Sequence, residues 1–356
     1  MADIFDLVKA EVQGDFIVEA SKADEPYLGA ELFPSRKQTS LDLKFIAGYK
    51  GIPVSLKPST LGSRAFVRDR IGAVTIQNEI PFFREQMNID ERTRRQLVRA
   101  ENDVTDPYTR EILKSIFNDT KQLTDGAKVV PERMRMNLLF TGKFYIAGAD
   151  KDGKQPIYNY DYDSNGKWAK ENVKVLTGNK RWADHTNSNP VDDLQDIIDA
   201  AADKGVTIAR AICGSQVLKD IMANANFKNM FRNPDNSLRS FSRKEAINEL
   251  STRLGISVVV YTRSYQDENG KTQQFVPDNA IALFPAGKLG DTVYATTPEE
   301  LDLASGYGNA SVSVIDTGIT VTTAKEYGPP VNVKTVVSEF VLPSFEAMAT
   351  VFVIKY

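Results

Sequence analysis

Apolar residues recur along this chain in two periods, and the changes of period mark its segments. Leu41, Leu43, Phe45, Ala47 and Tyr49 alternate with polar neighbours, the two-residue repeat of a strand with one buried face. Val74, Ile76 and Ile80 resume the repeat across GAVTIQNEIPFF. Pro53 and Pro58 bracket VSLK and keep it at a sheet edge, because proline cannot donate to the ladder. Between the two β runs lies KPSTLGSRAFVRDR, with Lys57, Arg64, Arg68 and Arg70 against Asp69 and few core-forming residues. The pattern predicts a long protruding hairpin with a polar, basic tip. Two readings fit the tip: a solvated loop, or an arm that reaches an acidic patch on another subunit.

The period then changes to that of a helix. Asp106-Pro107 is a start signal, an N-cap oxygen followed by proline at the first helical position. Ile112, Leu113, Ile116, Phe117 and Thr120 fall on one face. Met134, Leu138 and Leu139 resume that face after Gly126 and Pro131, and Gly142 closes it. The pattern predicts a helix over about 107–141, kinked near Pro131, or two stacked pieces. A continuous helix would span about 50 Å and serve as a scaffold. The charged stretch IDERTRRQLVRAEN before it fits a short helix or a coil. After it, Asp152-Gly153 and Asn165-Gly166 separate short aromatic-rich strands, a small meander.

Residues 189–285 alternate between the two periods. Asn189-Pro190 starts a helix with Asp192 and Asp193 in its first turn and Leu194, Ile197, Ile198 and Ala201 inside. VTIARAI reads as a buried strand. Ser215 is placed as the cap of a second helix carrying Val217, Leu218, Ile221 and Met222. Ser242 and Glu245 form a capping box for a third, with Gly255 beyond its end. ISVVVYT is a strand, followed by a hairpin whose turn is set at Asn269-Gly270, the pair that suits a two-residue turn. Pro277-Asp278-Asn279 makes a corner into strand 280–284. These elements give helices on a small sheet. Residues 310–356 return to β: a hairpin around Thr317-Gly318, then two strands broken near Pro343. Residues 1–40 are a weakly patterned leader. A short helix fits Ile4, Phe5, Leu7 and Val8, and EPYLGAELFP reads as irregular, extended chain.

Composition narrows the function. The 356 residues include one histidine and one cysteine and carry a net charge of −3. That balance argues against a protein built to neutralise nucleic-acid phosphates. No apolar run nears membrane-spanning length, and no secretory signal opens the chain. A histidine-dependent mechanism would have to run through His185, in the polar loop ADHTNSNP, with no nucleophile motif nearby. No phosphate-binding glycine motif follows a strand. Cys213-Gly214-Ser215 places backbone N–H groups at a helix start, where an anion can sit. Asp161, Asp163, Asn165 and Gly166 match the opening of an EF-hand calcium loop. The twelfth position is Asn172, with Glu171 one place early, and a plain Asn-Gly turn accounts for the same residues. The expectation is a protein that is not an enzyme and needs no cofactor or metal.

The order of leader, long hairpin, long helix, α/β layer and terminal strands resembles the Hong Kong 97 (HK-97) capsid fold of tailed bacteriophages. Pro190 to Asp193 and LFTGKFY (139–145) resemble its lambda-type branch, the phage major capsid protein E family. So do Val258 to Tyr261, Tyr265, Glu268-Asn269-Gly270, Phe275, Pro277-Asp278-Asn279 and Leu283. The resemblance implies an α+β fold with an N-terminal arm (1–40), an E-loop with flanking strands (41–88) and a P-domain with spine helix and meander (89–188). It further implies an α/β A-domain (189–308) and C-terminal strands returning to the P-domain (309–356). The implied function is a major capsid protein that assembles through a procapsid into the icosahedral head of a virion enclosing double-stranded DNA. The implied partners are further copies in hexamers and pentamers, a scaffolding protein, a portal and a decoration protein, with assembly in the host cytoplasm and no membrane. Lys57, Arg64, Arg68, Arg70, Asn269 and Gly270 are the expected contacts between subunits. Lysine–asparagine crosslinking, a variation within this fold, would use Lys57. Two rivals predict different architectures: a tail-tube subunit, mostly β, and an intracellular α/β enzyme using the 205–262 layer.

Overall fold

The computed structural model describes residues 8–47, 74–89, 107–147, 157–233, 235–267, 270–305, 310–326 and 332–356. In chain order the elements are α1 (Ala10–Ser21), α2 (Leu28–Leu32), β1 (Ser35–Gln38), β2 (Asp42–Ala47), β3 (Val74–Glu79), β4 (Phe82–Ile89) and α3 (Pro107–Thr141). There follow β5 (Lys143–Ala147), β6 (Ile157–Asp161), α4 (Lys167–Asn172), β7 (Val173–Val175), α5 (Pro190–Asp203), β8 (Arg210–Cys213), α6 (Ser215–Ala223) and α7 (Ala225–Asn229). Next come α8 (Arg243–Leu254), β9 (Ser257–Val260), β10 (Ser264–Gln266), β11 (Thr272–Gln274), β12 (Ala280–Phe284) and β13 (Thr292–Ala295). The chain ends with α9 (Pro298–Ser305), β14 (Ala310–Ile315), β15 (Ile319–Glu326), β16 (Asn332–Pro343) and β17 (Phe352–Lys355). Met1–Leu43, Gln77–Met134 and Asp291–Ser344 form one compact unit; Lys44–Ile76, Arg135–Gly290 and Phe345–Tyr356 form the other.

The first unit is organised by β16, which is long enough to pair with three strands. Val333–Phe340 lie antiparallel to β4, Asn332–Ser338 to β15, and Phe340–Pro343 to β13. β1 adds parallel to β13, and β14 antiparallel to β15. Along β16 the odd positions Val333, Thr335, Val337, Glu339 and Val341 are buried, while Lys334, Val336 and Phe340 on the other face are half-buried. Helices cover the odd face. Ala10 and Ile17 of α1 cluster with Leu123 of α3, Val321 and Val337. Ile116 of α3 clusters with Val8, Ile89 and Val333.

The described part of the leader packs on its own unit and holds a helix beyond the segment that apolar spacing marked. α1 occupies 10–21, and EPYLGAELFP contains α2; Ile4, Phe5 and Leu7 lie outside the described residues. The buried stripe of α1 is Ala10, Gln13, Gly14 and Ile17. Gln13 Nε2 donates to the Val8 carbonyl at 2.6 Å, and Thr120 Oγ1 donates to Gln13 Oε1. A Cβ at Gly14 would meet Ser313 Oγ at 2.6 Å. A stripe of small and polar residues carries no hydrophobic period, so the helix is silent to that signal.

The second unit carries the sheet β7-β17-β12-β8-β9, with parallel pairs at both edges and antiparallel pairs in the middle. α5, α6, α7 and α8 all bury their apolar residues against one face. Leu194, Ile197, Val217, Leu218, Ile221, Phe227, Ala246 and Leu250 share a core with Ala211, Cys213, Val258, Ile281, Leu283, Phe352 and Ile354. The capping box of Ser242 and Glu245 is made, and Gly255 ends α8 at φ +65°. β5 and β6 form a separate antiparallel pair.

α3 fills the expected 107–141 as a single helix with Pro131 inside it; Asp106 lies outside the described residues. Several other expectations change. Asn165-Gly166 leads into α4, not into a strand. VTIARAI contributes a strand only from Arg210. Gly214, without a side-chain bond, is the N-cap of α6, and Ser215 is its first residue. GAVTIQNEIPFF breaks at Ile80-Pro81, so β4 joins a different sheet from β3. The segment 309–356 divides after Ser344: β17 pairs with β7 and β12, not with β16. No helix among the described residues is long and apolar enough to cross a membrane.

Candidate functional site

β2 and β3 form a two-stranded sheet, and the segment that joins them, with Lys57, Arg64, Arg68 and Arg70, lies outside the described residues. The structure does describe where this hairpin is rooted. Ile80 N donates to the Leu41 carbonyl at 2.8 Å. Gln38 Nε2 donates to the carbonyls of Ser40 and Asp42. On either side of the root, a basic side chain reaches α9. Lys37 Nζ meets Glu300 Oε1 at 2.5 Å. Arg84 pairs with Glu299, which also accepts from Ser338 Oγ at 3.1 Å. The Arg84 guanidinium lies 4.6 Å above the Phe82 ring, and Phe82 packs on Phe340 at 4.4 Å. Thr297 holds the turn below: its Oγ1 accepts from Glu300 N and bonds Thr320 Oγ1 at 2.9 Å. None of these four charged residues stood out in the sequence. Thr297-Pro298-Glu299-Glu300 was a readable helix start; its pairing with Lys37 and Arg84 had no local signal.

The second hairpin, β10–β11, carries Gly270 at its exposed tip; Asn269 lies outside the described residues. Gly270 N donates to the Asp267 carbonyl and Asp267 N to the Lys271 carbonyl, with Gly270 at φ +74°. That is a three-residue loop ending in a left-handed glycine, not the two-residue turn its dipeptide suggests. Tyr265 packs on buried Phe275 at 4.8 Å and anchors the hairpin. The corner after it is fixed by close approach: a Cβ at Gly214 would stand 3.1 Å from the Pro277 carbonyl oxygen. Asn279 Nδ2 donates to the Tyr356 carbonyl and Tyr356 N to the Asn279 carbonyl, tying the corner to the end of the described chain.

The chemistry-bearing residues of this unit are used internally. Asp163 accepts from Trp168 N through Oδ1 and from Ala169 N through Oδ2. The would-be calcium carboxylate thus binds the first-turn N–H groups of α4, whose N-cap is Gly166, and no metal-holding group of three or more His, Cys, Asp or Glu occurs among the described residues. His185 Nε2 lies 3.2 Å from Asp220 Oδ1, which also accepts from Gln216; Tyr356 Oη donates to Asp220 Oδ2 at 2.7 Å. The network joins a loop, α6 and the end of the described chain around one buried carboxylate.

Burial pushes the Cys213 thiol from 9.0 up to about 12, so it is no nucleophile at neutral pH. Burial, then the Asp220 bond, also raises the Tyr356 phenol above its usual 10.0. Both groups stay protonated in the fold after the unfolded chain has ionised. The unfolded state then binds fewer protons, and stability falls as pH rises. Cys213 acts between pH 9 and about 12, with a limiting slope of about 1.4 kcal/mol per pH unit; Tyr356 adds from pH 10 upward. Urea unfolding midpoints from pH 8 to 10 should fall in the wild type and stay nearly flat in Cys213→Ala. Equal slopes in the two proteins would reject this assignment.

A model of the family described as phage major capsid protein E matches residues 17–316. No curated protein matches the chain. The putative capsid protein of an Escherichia coli CFT073 prophage shares the fold at a TM-score of 0.57 and 17% identity, over 98% of this chain and 99% of that one. A phage-related protein from Bordetella bronchiseptica RB50 gives 0.56 at 12% identity, over 96% of each chain. The capsid asymmetric unit of cyanophage A-1(L) gives 0.50 at 12% identity, over 93% of this chain and 92% of that one. At these identities the likeness is one of fold.

Proposed function

Because this chain belongs to the phage major capsid protein E family and is a head-shell capsid protein of HK-97 fold, we propose how its copies join. They associate as hexamers and pentamers of an icosahedral shell around double-stranded DNA. Residues 48–73 form the arm that lies against a neighbouring copy, with Lys57, Arg64, Arg68 and Arg70 meeting acidic side chains there. The β10–β11 hairpin, with Asn269 and Gly270 at its tip, faces neighbours around the symmetry axes. The protein has no catalytic role; a scaffolding protein, a portal and a decoration protein act with it, and assembly takes place in the host cytoplasm. The family match across 300 residues, 17 to 316, carries this reading. Two features support it: a basic tip on a long hairpin, and a histidine, cysteine and tyrosine committed to internal bonds or buried.

Charge reversal at Arg64, Arg68 and Arg70 tests the arm. The triple variant is expected to fold, with circular dichroism and thermal midpoint near wild type, because exposed substitutions usually stay within ±0.5 kcal/mol. Shell yield by negative-stain microscopy, with scaffold co-expressed, should fall at least tenfold, since like charges at a desolvated contact cost several kcal/mol. Normal shells from this variant reject the assigned contacts. Monomers under every condition, with enzymatic turnover, would overturn the assembly reading itself.

A further inference from the structure

We propose that the acidic outer face of α5 meets the basic segment 228–244 of the next copy, so that each ring closes through one repeated head-to-tail contact. The inference deepens the hexamer-and-pentamer reading and rests on it. α5 carries five aspartates and no lysine or arginine. Asp192, Asp196, Asp199 and Asp203 are exposed, and their spacing of four, three and four residues puts them in one stripe along the helix. Leu194, Ile197 and Ala201 are buried on the other side. The stripe works against its own helix. Like charges at that spacing repel, and Asp203 is the last residue of α5, where the dipole disfavours an anion. Lys174 of β7 pairs with Asp193 and Asp196, but Asp192, Asp199 and Asp203 form no ion pair among the described residues.

Segment 228–244 has the opposite character. Lys228, Arg232, Arg239, Arg243 and Lys244 stand against Asp235 alone, and all five are exposed. Arg243 and Lys244 open α8, the end at which the dipole disfavours a cation. Asp235 is engaged by its own loop, accepting from Ser237 N and Oγ. The loop is fixed although it buries little. Asn233 N donates to the Ser237 carbonyl at 2.9 Å, Arg239 N to the Phe231 carbonyl at 3.0 Å and Arg232 Nη1 to the Asn236 carbonyl at 2.7 Å. Phe231 stacks on Phe241 at 4.0 Å, and Leu238 is left 57% exposed. A loop ordered before it docks loses less freedom on docking. Lys174 places the acidic stripe by edge strand β7, and α8 packs on β9, the strand at the opposite edge. No ion pair joins the two faces within one chain among the described residues. A rotated copy can bring them together, and a contact between unlike patches repeats from copy to copy until the ring closes.

The test uses the full chain with scaffold co-expressed, under conditions in which the wild type forms shells. Asp199→Lys with Asp203→Lys, and Arg243→Glu with Lys244→Glu, each give the two faces the same sign. Each change also puts at its helix end the charge that the dipole favours. Both variants should therefore unfold no more than about 2 °C below the wild type. Each should nevertheless lose at least about tenfold in shell yield by negative-stain microscopy, because like charges now meet at the contact. All four changes in one chain restore opposite signs and should return the yield to within about threefold of the wild type. A stripe that served a scaffolding protein would not be rescued by changes in segment 228–244. Loss without rescue thus overturns the proposal, as do wild-type yields from either double variant. If a reversal impairs folding, the neutral pairs Asp199→Asn with Asp203→Asn and Arg243→Gln with Lys244→Gln decide through salt. Wild-type yield should fall as salt rises and theirs by less than about half as much; equal salt dependence rejects the contact. If the arm variant behaves as expected while these do not, only this contact fails. A wild type that forms neither rings nor shells overturns the assembly reading, and this proposal with it.

Discussion

Replacing Trp182 with alanine is expected to destabilise the second unit by about 3–5 kcal/mol, the usual cost of deleting a large buried aromatic. Trp182 is the largest fully buried side chain described, at 0% exposure, although it sits in a loop rather than in a helix or strand. Its ring packs on Tyr356 at 5.1 Å, and its Nε1 donates to Asp193 Oδ2 at 3.0 Å. Asp193 in turn binds Lys174 of β7 at 2.9 Å. One side chain thus joins the first turn of α5, the edge strand β7 and the end of the described chain. Alanine leaves both a cavity and a partly buried carboxylate short of one donor, and the two losses add. Trp182→Phe keeps most of the ring and loses only the N–H, so it should cost about 1–2 kcal/mol. The measurement is the thermal midpoint of the full chain, expected to drop by about 10 °C for alanine and a few degrees for phenylalanine. A drop below about 2 °C for alanine would mean that the loop is not part of the core.

The loop that holds Trp182 shows why some of this molecule was legible in its sequence and some was not. RWADHTNSNP is polar and rich in turn residues, so it reads as surface loop, and one indole among nine such neighbours carries no periodic signal. A period located some elements and overran others, such as VTIARAI, which is a strand only from Arg210. α5, α8 and the break of the terminal strands at Pro343 follow from apolar spacing and from caps whose chemistry is local. α1 escaped because its buried stripe is alanine, glutamine and glycine with Ile17 as its one large apolar residue. β13 and α9 passed unread within 289–308, between stronger patterns. The hairpin was recognisable, but the ion pair beside its root joins Lys37 and Glu300, 263 residues apart. An ion pair at that separation has no signature in either segment. The same limit applies to the sheets. Alternation identified strands in 310–343 and 352–355 alike, but pairing partners are set by tertiary packing, and these two segments belong to different sheets.

Gly318→Ala is the second substitution with a large expected effect, and it tests close approach rather than burial. An added Cβ would lie 2.5 Å from Tyr294 Cβ and 2.7 Å from both Cγ and Cδ1. The position of Cβ is set by the backbone, so rotating the Tyr294 side chain cannot clear the 2.5 Å contact. Nor can β13 move, because Tyr294 is paired with Lys37 on one side and Val341 on the other. The turn, with Asp316 already at φ +52°, must shift instead. The expected cost is about 3 kcal/mol, at the upper end of overpacking by a single methyl. Gly126→Ala supplies the opposite sign. It lies within α3 with no atom within 4 Å of the added Cβ, so it should stabilise by about 0.5–1 kcal/mol through helix propensity and lost unfolded-state freedom. Denaturant midpoints of the two variants should therefore move in opposite directions. The clash itself can be isolated by combining Gly318→Ala with Tyr294→Ala. Their costs should fall short of additive by at least 1 kcal/mol, since the second change removes the atoms the first collides with. Additive costs, or a Gly318→Ala protein as stable as the wild type, would show that this turn does not pack against Tyr294 as described.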